Sequence, residues 1–464
     1  MVSNNFLVER VAAQIAPLLP AHSSILVGLS GGVDSVVLLH LLHKLAARFS
    51  WQLSALHVHH GISPNADAWS DFCADLCARH LISLHIERVD IAPLREHGVE
   101  AAARKLRHAA FAEQSCDFVA LAHHADDQAE TLLLQLLRGA GVRGASAMPV
   151  LSLSKPPQLA LRTGSVPLVR PLLHCSRQEI LDYATAHQLH WIEDESNADD
   201  HYPRNFLRHR VLPLLGERFP AYRDTLARSA QHFAEASSLL DELAQQDGER
   251  AIAGETLTVA ALQALSRPRA KNLLRYFLHT NGAPMPPTVQ LDDMLQQLCG
   301  ARQDAGVSIT YSDWQVRRYQ GKVYALHAPG DFDPDLVLQW NGEAELDWPA
   351  LQSRLRLDRK LNPREKASRS PGISLVKLQR TSVTLRLRHG GEALRPHPGG
   401  ATRSLKNLLQ EHHVPPWQRD RLPLLYCGDE LVCVPSVAIA AEYLADEHET
   451  AIRIELQGAR TGKS

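Results

Sequence analysis

ILVGLSGGVDSVVLLHLL (residues 25–42) places two glycines, an aspartate and two serines between an apolar run typical of a buried strand and one typical of a helix. Glycine permits positive φ and lets backbone N–H groups approach a ligand closely. The start of a helix adds partial positive charge and free amide donors. Together these features predict an anion-binding loop, with an ordinary tight turn as the alternative. Its six residues are Ser30, Gly31, Gly32, Val33, Asp34 and Ser35.

Asp34 lies inside this predicted anion site, where its carboxylate would repel a phosphate. A Mg²⁺ ion or a cationic group between the two removes that repulsion. We therefore predict Asp34 as a Mg²⁺ ligand.

Strands and helices alternate around the loop. The predicted strands are 25–29, 54–60, 84–90, 118–124 and 168–173, and the predicted helices are 33–49, 66–80, 99–114, 128–139 and 176–189. This alternation predicts an α/β fold with a parallel, doubly wound sheet that binds ligands at the carboxyl ends of its strands.

The pattern changes further along the chain. Residues 216–300 are helical in pattern, 307–326 alternate like a hairpin, and a third module ends near residue 460. A mobile loop is predicted at 152–166. We therefore predict three domains: an α/β domain at 1–216, a mainly helical domain at 217–335, and a small α+β domain at 336–464.

Composition is that of a globular protein, with 464 residues, 45% hydrophobic and 22% charged. No apolar run approaches the roughly 20 residues of a membrane span, and the N-terminal residues lack the order of a signal peptide. We expect a cytoplasmic protein that does not enter a membrane. The seven cysteines include no C-x-x-C pair, and Cys73 and Cys77, one helical turn apart, are predicted to be buried.

Charge is distributed unevenly, although the net charge is only −2. Residues 354–406 hold fourteen Lys or Arg against three Asp or Glu. Such a local excess is the electrostatic pattern of a protein that binds a phosphate backbone.

Two motifs rich in histidine and arginine have competing interpretations. HVHHGIS (57–63) ends a predicted strand, but no further residue completes a tetrahedral zinc site, so we favour His57 at the rim of a nucleotide pocket. EAAARKLRH (100–108) places Arg104 on one helical face, where a solvated charged face is the alternative.

AHHADDQAET (122–131) is a stronger signal, because it passes from a strand end into a helix start. Asp127 and Glu130 are neighbours on that helix and can hold Mg²⁺ or an ammonium group, and His123 precedes them. Capping of the helix by the aspartates is the alternative.

Three later segments add donors: RGAG (138–141), RPLL (170–173) and WIEDESNADDHYPRNFLRHRVLP (191–213). A capping segment alone would not need so many of them. The candidate binding residues in these segments are Arg138, Arg170, Asn197, Arg204, Asn205 and Arg208.

SGGVDS resembles the diphosphate-binding loop of the N-type ATP pyrophosphatases, which have the adenine nucleotide alpha hydrolase-like fold. The ordered motifs of residues 25–213 resemble the tRNA(Ile)-lysidine synthetase family in particular. SLKNLLQEHHVPPWQRDRLPLLY (404–426) resembles the terminal tRNA-binding domain of that family.

The resemblance implies a reaction on the wobble cytidine of a minor isoleucine tRNA with a CAU anticodon. ATP adenylates the cytosine 2-oxygen, and the ε-amine of free L-lysine then attacks C2, which releases AMP and leaves lysidine. The cytidine must be splayed out of its loop to react.

The resemblance also implies roles for the candidates. ATP would contact residues 30–35, His57, His123 and Arg138, with ATP and Mg²⁺ as the small-molecule requirements. Lysine and cytidine would contact Asp127, Glu130, Arg170, Asn197, Arg204, Asn205 and Arg208. Asp34, Arg104, Asp127 and Glu130 would act in catalysis, with Asp127 or Glu130 as general base. Arg403, Lys406 and Arg419 would contact tRNA phosphates.

Two alternatives stay open. A tRNA 2-thiocytidine synthetase shares the loop, but its iron–sulfur cluster needs paired cysteines that this chain lacks. A non-catalytic RNA-binding protein would not need Asp34, Asp127 and Glu130. The sequence does not predict an oligomeric state.

Overall fold

The computed structural model describes residues 6–61, 63–92, 99–152, 166–193, 195, 199–302, 305–328, 330–351, 353–361, 372–447 and 449–457, without the side chains of 99–101 and 360–361. Most of the loop predicted at 152–166 lies outside these residues, as does Asn197. The chain divides into two compact units, Met1–Cys299 and Gly300–Ser464. The three-domain boundaries at 216 and 335 stay a prediction.

A six-stranded sheet of described residues forms the centre of the first unit, in the order β3-β2-β1-β4-β6-β5. β1 lies between β2 and β4 and is parallel to both, while β5 pairs antiparallel with β6 at one edge. The strands are β1 (Ser24–Gly28), β2 (Gln52–His59), β3 (Ser83–Arg88), β4 (Phe118–Ala120), β5 (Leu151–Ser152) and β6 (Leu168–Val169).

Helices follow the strands and cover the sheet. They are α1 (Phe6–Ile15), α2 (Val33–Phe49), α3 (Ala66–Arg79), α4 (Val99–Ala112), α5 (Ala125–Leu137), α6 (Val142–Ala145) and α7 (Arg177–Ala186). The doubly wound parallel sheet is therefore confirmed. Because the strand order reverses between β1 and β4, this topology favours a ligand-binding crevice at the carboxyl ends of these two strands.

The core of this region is aliphatic. α2 buries most of its length, including Val36, Leu39 and Leu42, against Ile25 and Val27 of β1. A continuous apolar run can form a helix here because the sheet and its neighbouring helices enclose it.

The rest of the first unit is mainly helical. Its elements are α8 (Pro203–Phe206), a π-helical turn (Leu207–Val211), α9 (Leu212–Arg218), α10 (Tyr222–Gly248), β7 (Ile252–Ala253), β8 (Thr256–Thr258), α11 (Val259–Ala264), α12 (Arg267–Thr280) and α13 (Thr288–Gly300). Arg223 of α10 donates to the Asp126 carboxylate at the start of α5, and that carboxylate also accepts the Arg177 N–H at 2.9 Å. The start of α5 is thus fixed to two other helices.

The second unit is built from antiparallel strands and short helices. The expected hairpin at 307–326 has three strands, β9 (Val307–Tyr311), β10 (Trp314–Tyr319) and β11 (Lys322–His327), because Gln320 and Gly321 with positive φ make a second turn. The later strands are β12 (Val337–Trp340), β13 (Glu345–Trp348), β14 (Ser353–Leu361), β15 (Ile373–Ser374), β16 (Val383–Arg386), β17 (Ala393–Leu394), β18 (Arg403–Ser404), β19 (Leu424–Cys427), β20 (Glu430–Val434), β21 (Ala438–Ile439) and β22 (Thr450–Gln457). The helices among them are α14 (Leu375–Leu378), α15 (Leu405–Glu411) and α16 (Pro416–Arg419).

These later strands form sheets in the orders β12-β16-β19-β20-β21 and β13-β14-β22-β15. Trp348, Leu355, Leu385 and Ile452 are fully buried members of their shared core. The expected α+β architecture near the C-terminus is confirmed.

Candidate functional site

The anion-binding loop, residues 30–35, joins the end of β1 to the start of α2. Gly31 has a φ of 89°, and a Cβ there would lie 2.5 Å from Ile192 Cδ1. The Ile192 N–H also donates to Gly31 O at 2.9 Å. Gly31 therefore needs to be glycine both for its backbone angle and for the space beside it.

Two serines hold the loop in shape. Ser35 Oγ accepts the Gly31 N–H at 3.1 Å and donates to Gly32 O at 2.9 Å, and Ser30 Oγ lies 3.1 Å from Ser35 Oγ. Gly32 is the N-cap of α2, and no side chain of the described residues caps this helix. The first amides of α2 are therefore available to an anion.

Asp34 faces His124 across the crevice, with 3.7 Å between Asp34 Oδ1 and His124 Nε2. Asp34 Oδ1 is buried without a hydrogen-bond partner among the described residues, and burial raises the pKa of its carboxyl. Such an oxygen beside an anion site suits Mg²⁺ that is also bound by phosphates. No group of three His, Cys, Asp or Glu in the described chain could hold a metal alone. Asp34 Oδ1 could supply one oxygen ligand to such an ion beside the loop.

Asp127 and Glu130 lie one turn apart at the start of α5, and both are buried, with Glu130 0% and Asp127 9% exposed. Asp127 Oδ2 accepts the His124 N–H at 3.0 Å and so caps the helix, as the alternative interpretation required. This capping uses one oxygen and leaves Asp127 Oδ1 directed at other partners.

Those partners are two arginines from the segment after residue 203. Arg204 Nε donates to Glu130 Oε2 at 2.7 Å, and its Nη2 donates to Asp127 Oδ1 at 3.1 Å. Arg208, in the π-helical turn, donates from Nε to Glu130 Oε1 at 2.6 Å and from Nη2 to Glu130 Oε2 at 3.0 Å and Asp127 Oδ1 at 3.2 Å. π-Helical turns are frequent at functional sites.

These contacts decide the ionisation of Asp127. Burial opposes its ionisation, but interactions with His124 and Arg204 outweigh burial, and the pKa of the Asp127 carboxyl is lowered. A carboxylate with a lowered pKa is a weaker base. Asp127 in this state is therefore better suited to hold a cation than to accept a proton.

A second group of cations borders the crevice. Burial lowers the pKa of His123, the negative charge of Asp127 opposes this, and the charges of Arg170, Arg204 and Arg104 lower it further. Arg170 is buried, donates to Pro149 O at 2.8 Å, and has its pKa lowered by burial to about 10. Arg104 is exposed on α4. This group can meet negative charge that develops on a substrate.

The remaining candidates are not all near these groups. His57 is buried below the loop, with its Nδ1 2.9 Å from Leu29 O and its pKa lowered by burial. Asn205 donates to Asp199 O at 2.9 Å. Arg138 caps the far end of α5, about 20 Å along the helix from His124, so the structure does not bring it together with His123.

Comparison with known proteins agrees with this geometry. Residues 6–215 match the PP-loop domain, 257–324 the TilS substrate binding domain and 383–456 the TilS substrate C-terminal domain. The tRNA(Ile)-lysidine synthase of Nitrosomonas europaea is 43% identical over 426 residues, which are 92% of this chain and 90% of that protein. The chain belongs to the tRNA(Ile)-lysidine synthase family.

Other relatives in the tRNA(Ile)-lysidine synthase family show the same full-length match. The protein of Coxiella burnetii is 36% identical over 95% of this chain and 94% of its own length, and that of an Azoarcus species is 41% identical over 95% and 92%. Family membership decides against the 2-thiocytidine synthetase alternative and confirms the recognition made from the ordered motifs.

In this lysidine synthase family member the cysteines of α3 are buried, as predicted. Burial raises the pKa of Cys73 to about 12 and that of Cys77 to about 11, so both are thiols at neutral pH. No helix among the described residues has the length and apolar character to cross a membrane.

The three candidates for tRNA contact in the second unit are not equally free. Arg403 makes a two-bond pair with Glu411 on α15, and Arg419 donates to Val414 O at 2.9 Å and to the Tyr319 hydroxyl at 3.0 Å. Lys406 is exposed. Lys406 is therefore the residue of the three most ready to contact a phosphate.

Sequence reasoning did not select His124 or Ile192. His124 is 1% exposed and lies between Asp34 and Asp127, 3.4 Å from Asp127 Oδ2. Its adjacent pair with His123 at a strand end was a usable signal. Ile192 carries no charge, and nothing in its sequence context indicates contact with a glycine 161 residues earlier.

Proposed function

We propose that this chain joins L-lysine to C2 of the wobble cytidine in a minor isoleucine tRNA with a CAU anticodon, in a reaction driven by ATP. The observation that carries the proposal is the juxtaposition of an uncapped helix start, Asp34 and a buried pair of carboxylates at one crevice. The helix start can bind the phosphates of a nucleotide, Asp34 can bind a metal ion, and the two carboxylates can bind an amine.

In the first step, the cytosine 2-oxygen attacks the α-phosphorus of ATP and diphosphate leaves. The first amides of α2 and the hydroxyls of Ser30 and Ser35 bind the phosphates. Asp34 would hold Mg²⁺, which neutralises phosphate charge when bound. Arg104, His123 and Arg170 meet the negative charge that develops at phosphorus.

In the second step, the lysine ε-ammonium group gives a proton to the Glu130 carboxylate. The resulting amine attacks C2, and the C2–O bond breaks so that AMP departs with the oxygen. Asp127 and Glu130 hold the ammonium group before it is deprotonated, because both are buried carboxylates beside the anion site. Asn197 precedes Arg204 in the sequence and Asn205 follows it, and we assign these two side chains to lysine and cytidine.

We assign the tRNA body to the second unit, which would bind its phosphates with Lys406 as the main anchor. Arg403 and Arg419 would contribute only after leaving their present partners. The fourteen basic residues of 354–406 support this role. We infer a cytoplasmic location from the proposed substrates, tRNA and free lysine.

The test is incubation of the full chain with ATP, Mg²⁺, radiolabelled lysine and an unmodified isoleucine tRNA transcript with a CAU anticodon. We expect label in RNA only when ATP is present. Asp34→Asn removes the carboxylate charge and should reduce labelling at least a hundredfold, by analogy with loss of one electrostatic group.

Asp71→Asn, on the exposed side of α3, is the matched control and should label RNA at the wild-type rate. Labelling without ATP, or full activity of Asp34→Asn, would contradict the proposal.

A further inference from the structure

The two carboxylates assigned to the lysine ammonium group already hold cations. Both Glu130 oxygens and Asp127 Oδ1 accept five hydrogen bonds from Arg204 and Arg208, at 2.6 to 3.2 Å. Both arginine side chains are 23% exposed, whereas that of Glu130 is 0% exposed. The arginine side chains are therefore the most exposed members of the cluster, and the Asp127 side chain is 12% exposed.

Two carboxylates and two guanidinium groups have no net charge. Adding an ammonium group to this neutral, buried cluster would leave one cation without a partner, which is costly away from water. Asp127 and Glu130 can therefore bind the lysine ammonium group only when one arginine side chain moves away from them. The displaced guanidinium group then needs another anion.

The contacts distinguish the two arginines. Arg208 donates a bidentate pair of hydrogen bonds to the Glu130 carboxylate, a geometry that is strong and specific. Arg204 makes one bond to each carboxylate. Removing Arg204 leaves one net negative charge and frees an acceptor site on both Asp127 Oδ1 and Glu130 Oε2, which matches one ammonium group.

A nucleotide bound at the anion-binding loop would place phosphate groups close to Arg204. The imidazole of His124 lies 3.4 Å from Asp127 Oδ2 and 3.7 Å from Asp34 Oδ1, so one ring separates the cluster from the anion-binding loop. Phosphates bound at that loop would therefore compete with the carboxylates for the guanidinium group.

We propose that the Arg204 guanidinium group occupies the binding site for the lysine ammonium group at Asp127 and Glu130. A bound nucleotide phosphate would pair with Arg204 instead, so that lysine binds tightly only after the nucleotide. Arg204 is then a positioning residue that sets the order of binding. This inference rests on the proposed function, because it assumes that lysine is the amine.

The experiment is calorimetric titration of L-lysine into the full chain, with and without Mg²⁺ and an ATP analogue that has a methylene group between the α and β phosphates. For wild type we expect the lysine Kd to fall at least tenfold when the analogue is bound. Coupling is reciprocal, so lysine should tighten analogue binding by the same factor. Norleucine, which keeps the α-ammonium group but lacks the ε-ammonium group, should show no such dependence.

Arg204→Gln separates this inference from a general attraction between lysine and phosphate. Without the analogue, this variant should bind lysine at least tenfold more tightly than wild type, and the analogue should change its lysine Kd by less than about twofold. Arg210→Gln is the matched control. Arg210 lies on the same segment but pairs with Asp200 and is exposed, so the control should retain wild-type coupling.

A nucleotide-independent lysine Kd in wild type would overturn the inference, and this arm needs no variant to fold. Wild-type coupling retained in Arg204→Gln would overturn it too. If RNA is still labelled in either case, the proposed function stands. Absence of lysine binding in every state, together with absence of RNA labelling, would overturn both.

Discussion

Adding a Cβ atom at Gly31 would destabilise the protein for two separate reasons. Its φ of 89° strains any L side chain, and the new Cβ would overlap Ile192 Cδ1 at 2.5 Å. Backbone strain of this kind costs about 1–3 kcal/mol. The overlap adds to it, because the terminal methyl group of Ile192 must move away.

We therefore predict that Gly31→Ala lowers stability by more than the backbone term alone and weakens ATP binding at least tenfold. Gly139→Ala is the matched control, because Gly139 has a φ of 71° and open space around its Cβ position. Thermal denaturation and nucleotide titration check both variants. Equal losses in the two would show that contact with Ile192 has no effect.

Elements could be predicted from the sequence where their periodicity is long and local. The five βα units were predicted to within a few residues, because each buried strand and amphipathic helix repeats its own pattern. β5 was not predicted, because a strand of two residues has no recognisable hydrophobic periodicity and its pairing with β6 is not visible in the sequence. The π-helical turn at Leu207–Val211 was missed for a similar reason, because one extra residue in a helix leaves no compositional signal.

The C-terminal ends of two helices, α3 and α7, meet the imidazole of His40 in the middle of α2. His40 Nδ1 lies 3.1 Å from the Tyr183 hydroxyl of α7, and its ring packs against His80 after α3 and His187 after α7. Burial, with repulsion from Lys44, His187, His80 and His43, lowers the pKa of His40 to about 4. This packing therefore requires a neutral ring.

Because the unfolded chain has an ordinary histidine pKa near 6.5, neutral His40 stabilises the fold above about pH 6.5 and loses that contribution as pH falls towards 4. We predict that wild type loses about 1 kcal/mol more stability than His40→Gln between pH 7 and pH 5, after allowance for partial exposure. Thermal midpoints measured across this range check it. His232→Gln, on the exposed side of α10, should keep the wild-type slope.

Across the whole molecule, the basic stretch of 354–406 is less positive than its sequence indicates. Arg354 pairs with Glu345 and Asp347, and Arg395 pairs with Glu442. Such partners lie outside the stretch, so a local count of charges cannot find them. For the same reason, the sequence does not predict that Glu130 pairs with Arg204 and Arg208, which lie more than seventy residues away.

These pairs predict which cations contribute to tRNA affinity. Lys406→Ala should weaken tRNA binding and reduce the slope of log affinity against log salt by about one, as expected for a single phosphate contact. Arg354→Ala should leave the slope unchanged, because its charge is already paired. Filter binding over a series of salt concentrations measures both. Equal slopes for Lys406→Ala and wild type would remove Lys406 from the interface.

The contact between Ile192 and Gly31 has a consequence for how variants of this enzyme are interpreted. The terminal methyl group of Ile192 fills the space beside Gly31, so a change at position 192 alters the packing of the anion-binding loop. Substitutions at 192 will look like nucleotide-affinity defects in a screen, although that side chain carries no polar atom. Selection for tighter ATP use would act on an aliphatic side chain as readily as on the loop itself.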